Sequence, residues 1–260
     1  MGTKIATILP DNPTRFSDVP AVQALYALFE GDDGSPAAVM DGTALTYRKT
    51  AADSALGSQL LSRPDSRVLL LVGAGGLAPY LARAHLAIRP SLARVLVWNR
   101  TVTRAEAMGD RLRADGFDAA VSTDLEAAVR QADILSCSTA STEPMVAGAW
   151  LKAGAHLDLV GGFTPAMREC DDDAVRRARL FVDEASINLE VCGDLIDPIR
   201  RGVIPRTKVE GDLYDLCRPG WALNRGPEDV TLFKNGGGGH LDLLTALFIR
   251  NRLREEVARG

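Results

Sequence analysis

The sequence predicts an α/β protein, a doubly wound parallel sheet joined to a smaller β-rich unit. Two rhythms and one turn predict it. From Arg67 onward, apolar runs of about five residues alternate with segments of helical period, as successive βαβ units do. Before that point the apolar runs are short and separated by turn formers. The first strand-like run of the alternating region leads into Gly73, Gly75 and Gly76, a glycine-rich passage from strand to helix. A chain of 260 residues is long enough for two unequal domains.

In chain order, strands are expected at 4–9, 22–30 and 37–41, with Gly31-Asp32-Asp33-Gly34-Ser35-Pro36 as a hairpin loop. Ala51, Ala55, Leu56 and Leu60 then recur at helical spacing, so a helix capped by Thr43 or Thr46 runs to near Pro64. The parallel strands fall at 68–72, 95–98, 134–136, 156–160 and 180–182. Helices at 77–88, 104–114, 125–131 and 171–177 lie between them. Asp171, Asp172 and Asp173 read as acidic residues favoured at a helix N-terminus. After Asp183 the alternation fades into helical pieces, a strand-like 230–233, the glycine run 236–239 and a last helix from Leu241. This tail is too weakly apolar to stand alone and is expected to pack back on the N-terminal segment. The expected divisions are 1–62, 63–185 and 186–260.

Composition narrows the partners. The formal net charge is −4 and the basic residues are dispersed, so nothing gathers a nucleic-acid backbone or an anionic membrane. No apolar stretch reaches the roughly 18 residues of a bilayer span, and Met1 to Thr7 lacks the basic-then-apolar order of a secretory signal. A cytoplasmic protein with a small-molecule partner is expected. Cys137, Cys170, Cys192 and Cys217 lack zinc spacing, and no metal is expected.

The glycine passage supplies the first chemistry. Gly73, Gly75 and Ala78 occupy the three positions of G-x-G-x-x-G/A between a buried-type strand and a helix, the setting of a Rossmann dinucleotide site. Gly73 permits the tight turn, Ala74 and Gly76 complete it, Gly75 lets the backbone approach a pyrophosphate, and Ala78 keeps helix and strand close. One strand later the chain reads Asn99-Arg100-Thr101, and no Asp or Glu occurs between Asp65 and Glu106. An acid there would hold the ribose 2′-hydroxyl of NAD; Arg100 and Arg104 suit a 2′-phosphate, so NADPH is expected over NADH. Cys137, Ser138 and Thr139 follow a strand whose carboxyl end borders the crevice, and Val160 and Asn235 are assigned to the same lining.

Five further motifs occur in order: Lys4-Ile5-Ala6-Thr7 with Pro10 and Asn12; Asp41-Gly42-Thr43-Ala44-Leu45-Thr46 with Arg48 and Thr50-Ala51-Ala52; Ser141-Thr142-Glu143-Pro144; Asp158-Leu159-Val160-Gly161; and Gly193-Asp194-Leu195. Together they resemble the ornithine cyclodeaminase and mu-crystallin family over nearly the whole chain. The resemblance implies a Rossmann domain paired with a β-rich substrate and dimerisation domain, and a homodimer. It also implies a further segment ahead of the lysine motif, so the β-rich domain reads as N-terminally shortened.

Matched by motif, Lys4 and Arg48 are the implied catalytic and substrate-binding residues. Arg48 would grip the substrate carboxylate and Lys4 would add a hydrogen bond. Thr164 is expected to line the nicotinamide. Cyclodeaminases of the family carry an aspartate just after Val-Gly-Gly; this chain has Phe163, which transfers no proton. The expectation is therefore NADPH-dependent reduction of a cyclic imino acid, Δ1-pyrroline-2-carboxylate to proline, with piperideine-2-carboxylate as a second ring size. Alanine-dehydrogenase-like or cyclodeaminase-like deamination, and a non-catalytic NADPH-dependent ligand binder like mu-crystallin, stand as alternatives.

Overall fold

The computed structural model describes residues 1–9, 11–16 and 19–259 and divides the chain into two units, Met1–Thr50 with Gly237–Gly260, and Ala51–Gly236. The smaller unit opens with β1 (Gly2–Ile8), a short helix α1 (Asn12–Arg15), β2 (Val22–Phe29) and β3 (Pro36–Asp41). These strands form one antiparallel sheet in the order β1-β2-β3. Lys4 stands opposite Tyr26, and Tyr26 opposite Met40. Because side chains alternate along a strand, Lys4 shares a face with Tyr26 and Leu28. That face packs on Leu45 and Ala246. The other face leaves Ile5, Leu25 and Val39 exposed.

Helix α2 (Gly42–Leu61) follows β3 directly. Neither Thr43 nor Thr46 caps it. The Asp41 carboxylate does, accepting from the N–H groups of Thr43 and Ala44, both at 2.9 Å, because an aspartate one residue before the helix reaches those orphan donors. The two threonines have other partners: Thr43 Oγ1 accepts from the Ala24 N–H at 2.8 Å, and Thr46 Oγ1 donates to the Gly42 carbonyl at 2.7 Å. Gly42 admits no side chain, since a Cβ there would lie 2.7 Å from the Ala24 carbonyl carbon.

The larger unit alternates as expected, with one strand, Ala119–Val121, more than the sequence predicts: β4 (Val68–Val72), α3 (Ala78–Ile88), β5 (Arg94–Trp98), α4 (Val102–Ala114), β6 (Ala119–Val121), α5 (Leu125–Gln131), β7 (Ile134–Cys137) and β8 (His156–Leu159). It continues with α6 (Asp172–Arg177), β9 (Arg179–Val182), α7 (Ala185–Val191), α8 (Gly193–Arg200), β10 (Val209–Asp212), α9 (Leu213–Leu216) and β11 (Thr231–Lys234). Asp171 caps α6 through a bond from the Ala174 N–H, so the acidic triplet does begin a helix. All eight strands are parallel, in the order β10-β9-β11-β8-β7-β4-β5-β6. Alternate residues of β4 enter two cores on opposite sheet faces, Leu70 and Val72 in one, Leu69 and Leu71 in the other.

The expectation that 186–260 returns to the N-terminal segment is corrected. Only Gly237–Gly260, with the last helix α10 (Gly239–Arg259), belongs to the smaller unit. The segment before it extends the parallel sheet, because β11 is hydrogen-bonded between β8 and β9, and β10 pairs with the outer edge of β9. Pairing across such sequence distances leaves no local trace, and Glu210-Gly211-Asp212 within β10 has no apolar run to reveal it.

Gly42→Ala is expected to destabilise the protein by about 1–3 kcal/mol, as an overpacked contact does. Asp41→Ala is expected to cost about 1 kcal/mol as a lost cap. Urea unfolding monitored by circular dichroism checks both; an unchanged midpoint in either variant contradicts the assigned role.

Candidate active site

In a parallel sheet, ligands bind beyond the carboxyl ends of the strands where the chain order reverses. Here β4 lies between β5 and β7, so the reversal falls between β4 and β7. The glycine turn sits at that point. Gly73 has φ 108°, a conformation suited to glycine, and a Cβ on it would lie 2.8 Å from the Ser138 carbonyl oxygen. Gly75 is exposed, and a Cβ there would meet no protein atom within 4 Å. Gly73 is thus demanded by the fold, whereas Gly75 presents backbone to open space, as a pyrophosphate-binding turn must. Ala78 is fully buried at the start of α3.

Asn99, just past β5, has a structural task that its motif position does not announce. Its Oδ1 accepts from the Ala74 N–H at 3.2 Å and its Nδ2 donates to the Thr101 carbonyl at 3.0 Å, tying the glycine turn to the end of the neighbouring strand. Arg100, Thr101 and Arg104 are exposed beyond it. These residues fit a dinucleotide: an open turn for the diphosphate, then cations and no carboxylate where the adenosine ribose falls.

The remaining expected lining residues differ in what they present. Cys137 is buried, and burial, with Glu169 nearby, pushes its thiol well up, so it stays protonated. Ser138 and Thr139 are half-buried in the loop after β7, and Val160 is buried after β8. Asn235 is buried, and its side chain donates to Ser54 Oγ at 3.0 Å. That hydroxyl in turn donates to Asp158, which also accepts from Ser136 at 2.6 Å and faces His85 at 3.3 Å. The Asn235 side chain therefore belongs to an internal network. Burial works against ionising Asp158, but His85 and Ser136 hold its pKa below the usual carboxylate value. Burial drives His156 down to about 3, leaving it neutral beside Thr231. Thr164 is half-buried in a turn, its carbonyl accepting from the N–H groups of Met167 and Gly193.

A second buried cluster lies under the loops after β7 and β8 and was missed by sequence reasoning. Glu169, Asp194 and Lys234 are all fully buried. Lys234 Nζ lies 3.4 Å from Asp194 Oδ2 and donates to the Leu159 carbonyl at 3.1 Å. Burial opposes its charge, yet Asp194 and Glu169 hold its pKa above the ordinary lysine value. Burial, with Asp194 beside it, pushes the Glu169 carboxyl up to about 7. The only sequence signal was indirect: the glycines of Val160-Gly161-Gly162 and Gly193-Asp194 are the positions where this cluster leaves no room. A Cβ on Gly162 would overlap the Asp194 carboxylate, and one on Gly193 the Met167 carbonyl.

In the smaller unit the structure brings Lys4 and Asp242 together at 2.7 Å, and Lys49 Nζ lies 3.7 Å from the other Asp242 oxygen. Lys4 also reaches Thr46 Oγ1 at 3.5 Å. Burial, with Asp242 nearby, raises the Tyr26 hydroxyl pKa. Arg48 is exposed, whereas its neighbour Lys49 is buried. Lys49 lies one turn from the buried Leu45 and one turn from the buried Asp53 on α2. The same spacing puts Asp242 in phase with Ala246 on α10.

Taken by unit, these features define a dinucleotide-binding α/β protein with a small antiparallel companion that carries a lysine pair on one carboxylate. The chain belongs to the ornithine cyclodeaminase/mu-crystallin family, whose model matches residues 1–257. It is 46% identical over 248 residues to a Δ1-pyrroline-2-carboxylate reductase of Paracoccus denitrificans, covering 95% of this chain and 78% of that protein. Its fold is similar to that of Thermococcus litoralis Δ1-pyrroline-2-carboxylate reductase in complex with NADH and L-proline, with TM-score 0.93, 28% identity, and coverage of 98% and 78%. An archaeal alanine dehydrogenase dimer with bound NAD is also similar, with TM-score 0.90, 25% identity, and coverage of 98% and 78%.

Gly75→Val is expected to abolish dinucleotide binding while leaving the unfolding midpoint unchanged, since the new side chain fills ligand space and touches no protein. Calorimetric titration with NADPH beside a thermal melt separates the two effects. Undiminished affinity would show the turn to be purely structural.

Proposed function

We propose that this protein is an NAD(P)H-dependent imine reductase that converts Δ1-pyrroline-2-carboxylate to proline, with NADPH as the preferred donor. Two ammonium groups around one carboxylate carry the assignment. Both ammoniums lie at Asp242, Lys4 at 2.7 Å and Lys49 at 3.7 Å, and cations gathered at one place attract a substrate carboxylate. Lys4 keeps 24% of its side chain exposed, so it remains open to an incoming anion, while Lys49 is buried. Asp242 orients both ammoniums. Lys49 thus takes the anchoring role that the motif match gave to Arg48, which lies on the exposed side of the same helix.

A reduced nicotinamide dinucleotide, when bound, would supply the hydride. The backbone at Gly75 would face its diphosphate, and Lys4 and Lys49 would anchor the substrate. A substrate arriving as a protonated imine needs no base. Phe163, exposed where cyclodeaminases of the resemblance have an aspartate, provides none. The 46% identity to a Δ1-pyrroline-2-carboxylate reductase supports the same substrate. The NADPH preference is supported by Arg100 and Arg104 and by the absence of an acid between Asp65 and Glu106. The exposed Ile5, Leu25 and Val39 face, with the dimeric state of the alanine dehydrogenase relative, supports a homodimer. Among the described residues no helix is long and apolar enough to cross a membrane.

NADPH oxidation measured with pyrroline-2-carboxylate, piperideine-2-carboxylate, and pyruvate plus ammonia tests the reaction. Turnover that requires added ammonia and a 2-oxo acid would replace reductase by alanine dehydrogenase activity.

Lys49→Met is expected to raise KM and lower kcat, with a loss of about 10²-fold in kcat/KM from a misplaced small substrate. Arg48→Ala is expected to stay within about threefold of wild type, as a surface substitution does. The reverse ranking would restore Arg48 as the anchor. Arg100→Ala is expected to weaken NADPH roughly 10- to 150-fold, the worth of one charge-assisted hydrogen bond, and to leave NADH nearly unaffected.

A further inference from the structure

Glu169 joins two loops that no local sequence feature connects. Its Oε1 accepts from the Thr139 N–H at 2.7 Å and from the Thr139 hydroxyl at 2.8 Å; its Oε2 accepts from the Gly161 N–H at 2.6 Å. Thr139 follows β7 and Gly161 follows β8, so one carboxylate ties together the ends of two adjacent central strands. The loops approach so closely that a Cβ on Gly161 would overlap both the Thr139 carbonyl oxygen and the Glu169 carboxylate. Thr139 in turn abuts the phosphate turn, its Cγ2 lying 3.1 Å from where a Gly73 Cβ would be. The main chain of Glu169 is equally committed, its N–H donating to Asp194 Oδ1 at 2.7 Å and its carbonyl accepting from Met145 and Val146 at 3.0 Å.

These loops occupy a defined part of the crevice. The adenosine end of a dinucleotide lies over β4 and β5, where Asn99 and Arg100 stand, so the opposite end extends over β7 and β8. We propose that Glu169 is a positioning residue for hydride transfer: its ionised carboxylate, by holding the Thr139 and Gly161 N–H groups together, sets the surface on which the nicotinamide half of the dinucleotide rests. This rests on the dinucleotide site assigned above. The Thr139 and Gly161 N–H groups need acceptors, and protonating the carboxyl turns one acceptor position into a donor and so weakens its hold on the loops.

The surroundings make that ionisation responsive. Asp194 from α8 and Lys234 from β11 face the carboxyl, and the thiols of Cys137 and Cys170 are held neutral by burial. With its pKa at about 7, roughly one Glu169 in ten is ionised at pH 6, which weakens a ligand that requires the ionised form about tenfold relative to pH 8.

The experiment compares NADH with ADP-ribose by calorimetry from pH 6 to pH 8. The two share adenosine and diphosphate, differ in the nicotinamide, and lack the 2′-phosphate, which would itself titrate near pH 6. The expected result is a Kd for NADH about tenfold higher at pH 6 than at pH 8, with ADP-ribose nearly constant. Glu169→Gln should bind NADH at pH 8 as weakly as wild type does at pH 6, lose the pH dependence, and lower kcat more than the KM of the imine. Equal pH dependence for both ligands, a flat NADH profile, or wild-type NADH affinity and kcat in Glu169→Gln overturns the proposal. The wild-type ligand pair decides the matter even if the variant does not fold. Binding of neither ligand would remove the dinucleotide site as well. Nicotinamide-selective pH dependence without imine reduction would leave Glu169 in place and overturn only the substrate.

Discussion

Lys234 carries an ammonium into a fully buried position at the end of a strand paired on both sides, and the loops around the crevice answer that charge. A buried ion forgoes several kcal/mol of hydration, which only close, hydrogen-bonded partners offset. Asp194 and the Leu159 carbonyl are those partners. Asp194 then fixes the Glu169 N–H, and Glu169 fixes the loops after β7 and β8. Three glycines follow from this packing, because Gly161, Gly162 and Gly193 each stand where a Cβ would collide with the cluster or the loops around it. A lysine on β11 thereby shapes loops that border the glycine turn at Gly73.

Each unit gathers charged side chains away from solvent. In the larger unit two carboxylates meet one ammonium, and burial answers the excess by raising the pKa of Glu169. In the smaller unit two ammoniums meet one carboxylate, with Lys4 partly open to solvent. The first arrangement is internal and holds backbone; in the second, Lys4 keeps part of its side chain in solvent. Similar residue types thus do different work, and exposure separates them: a closed cluster can satisfy its charge only by protonation, whereas an open one can recruit a ligand.

Parts of the site were legible because they are local. The glycine turn needs only a strand, a helix and the residues between, and β4 and α3 form around it as their apolar patterns direct. Lys4 was marked by its motif. Lys49 was obscured by Arg48, which offers the better carboxylate-binding chemistry but lies on the exposed side of α2. Leu45, Lys49 and Asp53 are buried at four-residue intervals along α2. Asp242 and Glu169 had no comparable marker. Each acquires its role from residues far away in sequence, Lys4 in one case and Thr139 and Gly161 in the other.

By itself the sequence determined the class of fold, the order of the elements through β9 apart from α1 and β6, the glycine-rich turn and the absence of an acid between Asp65 and Glu106. All of these depend on side-chain periodicity and on backbone freedom within a few residues. Tertiary structure decided the rest: that β11 enters the sheet between β8 and β9, that Lys49 reaches Asp242 beside Lys4, and that Glu169 spans two loops. The physical reason is that pairing a strand or burying a charge is settled by partners the chain meets only when folded, and the energies involved belong to those encounters rather than to any residue alone.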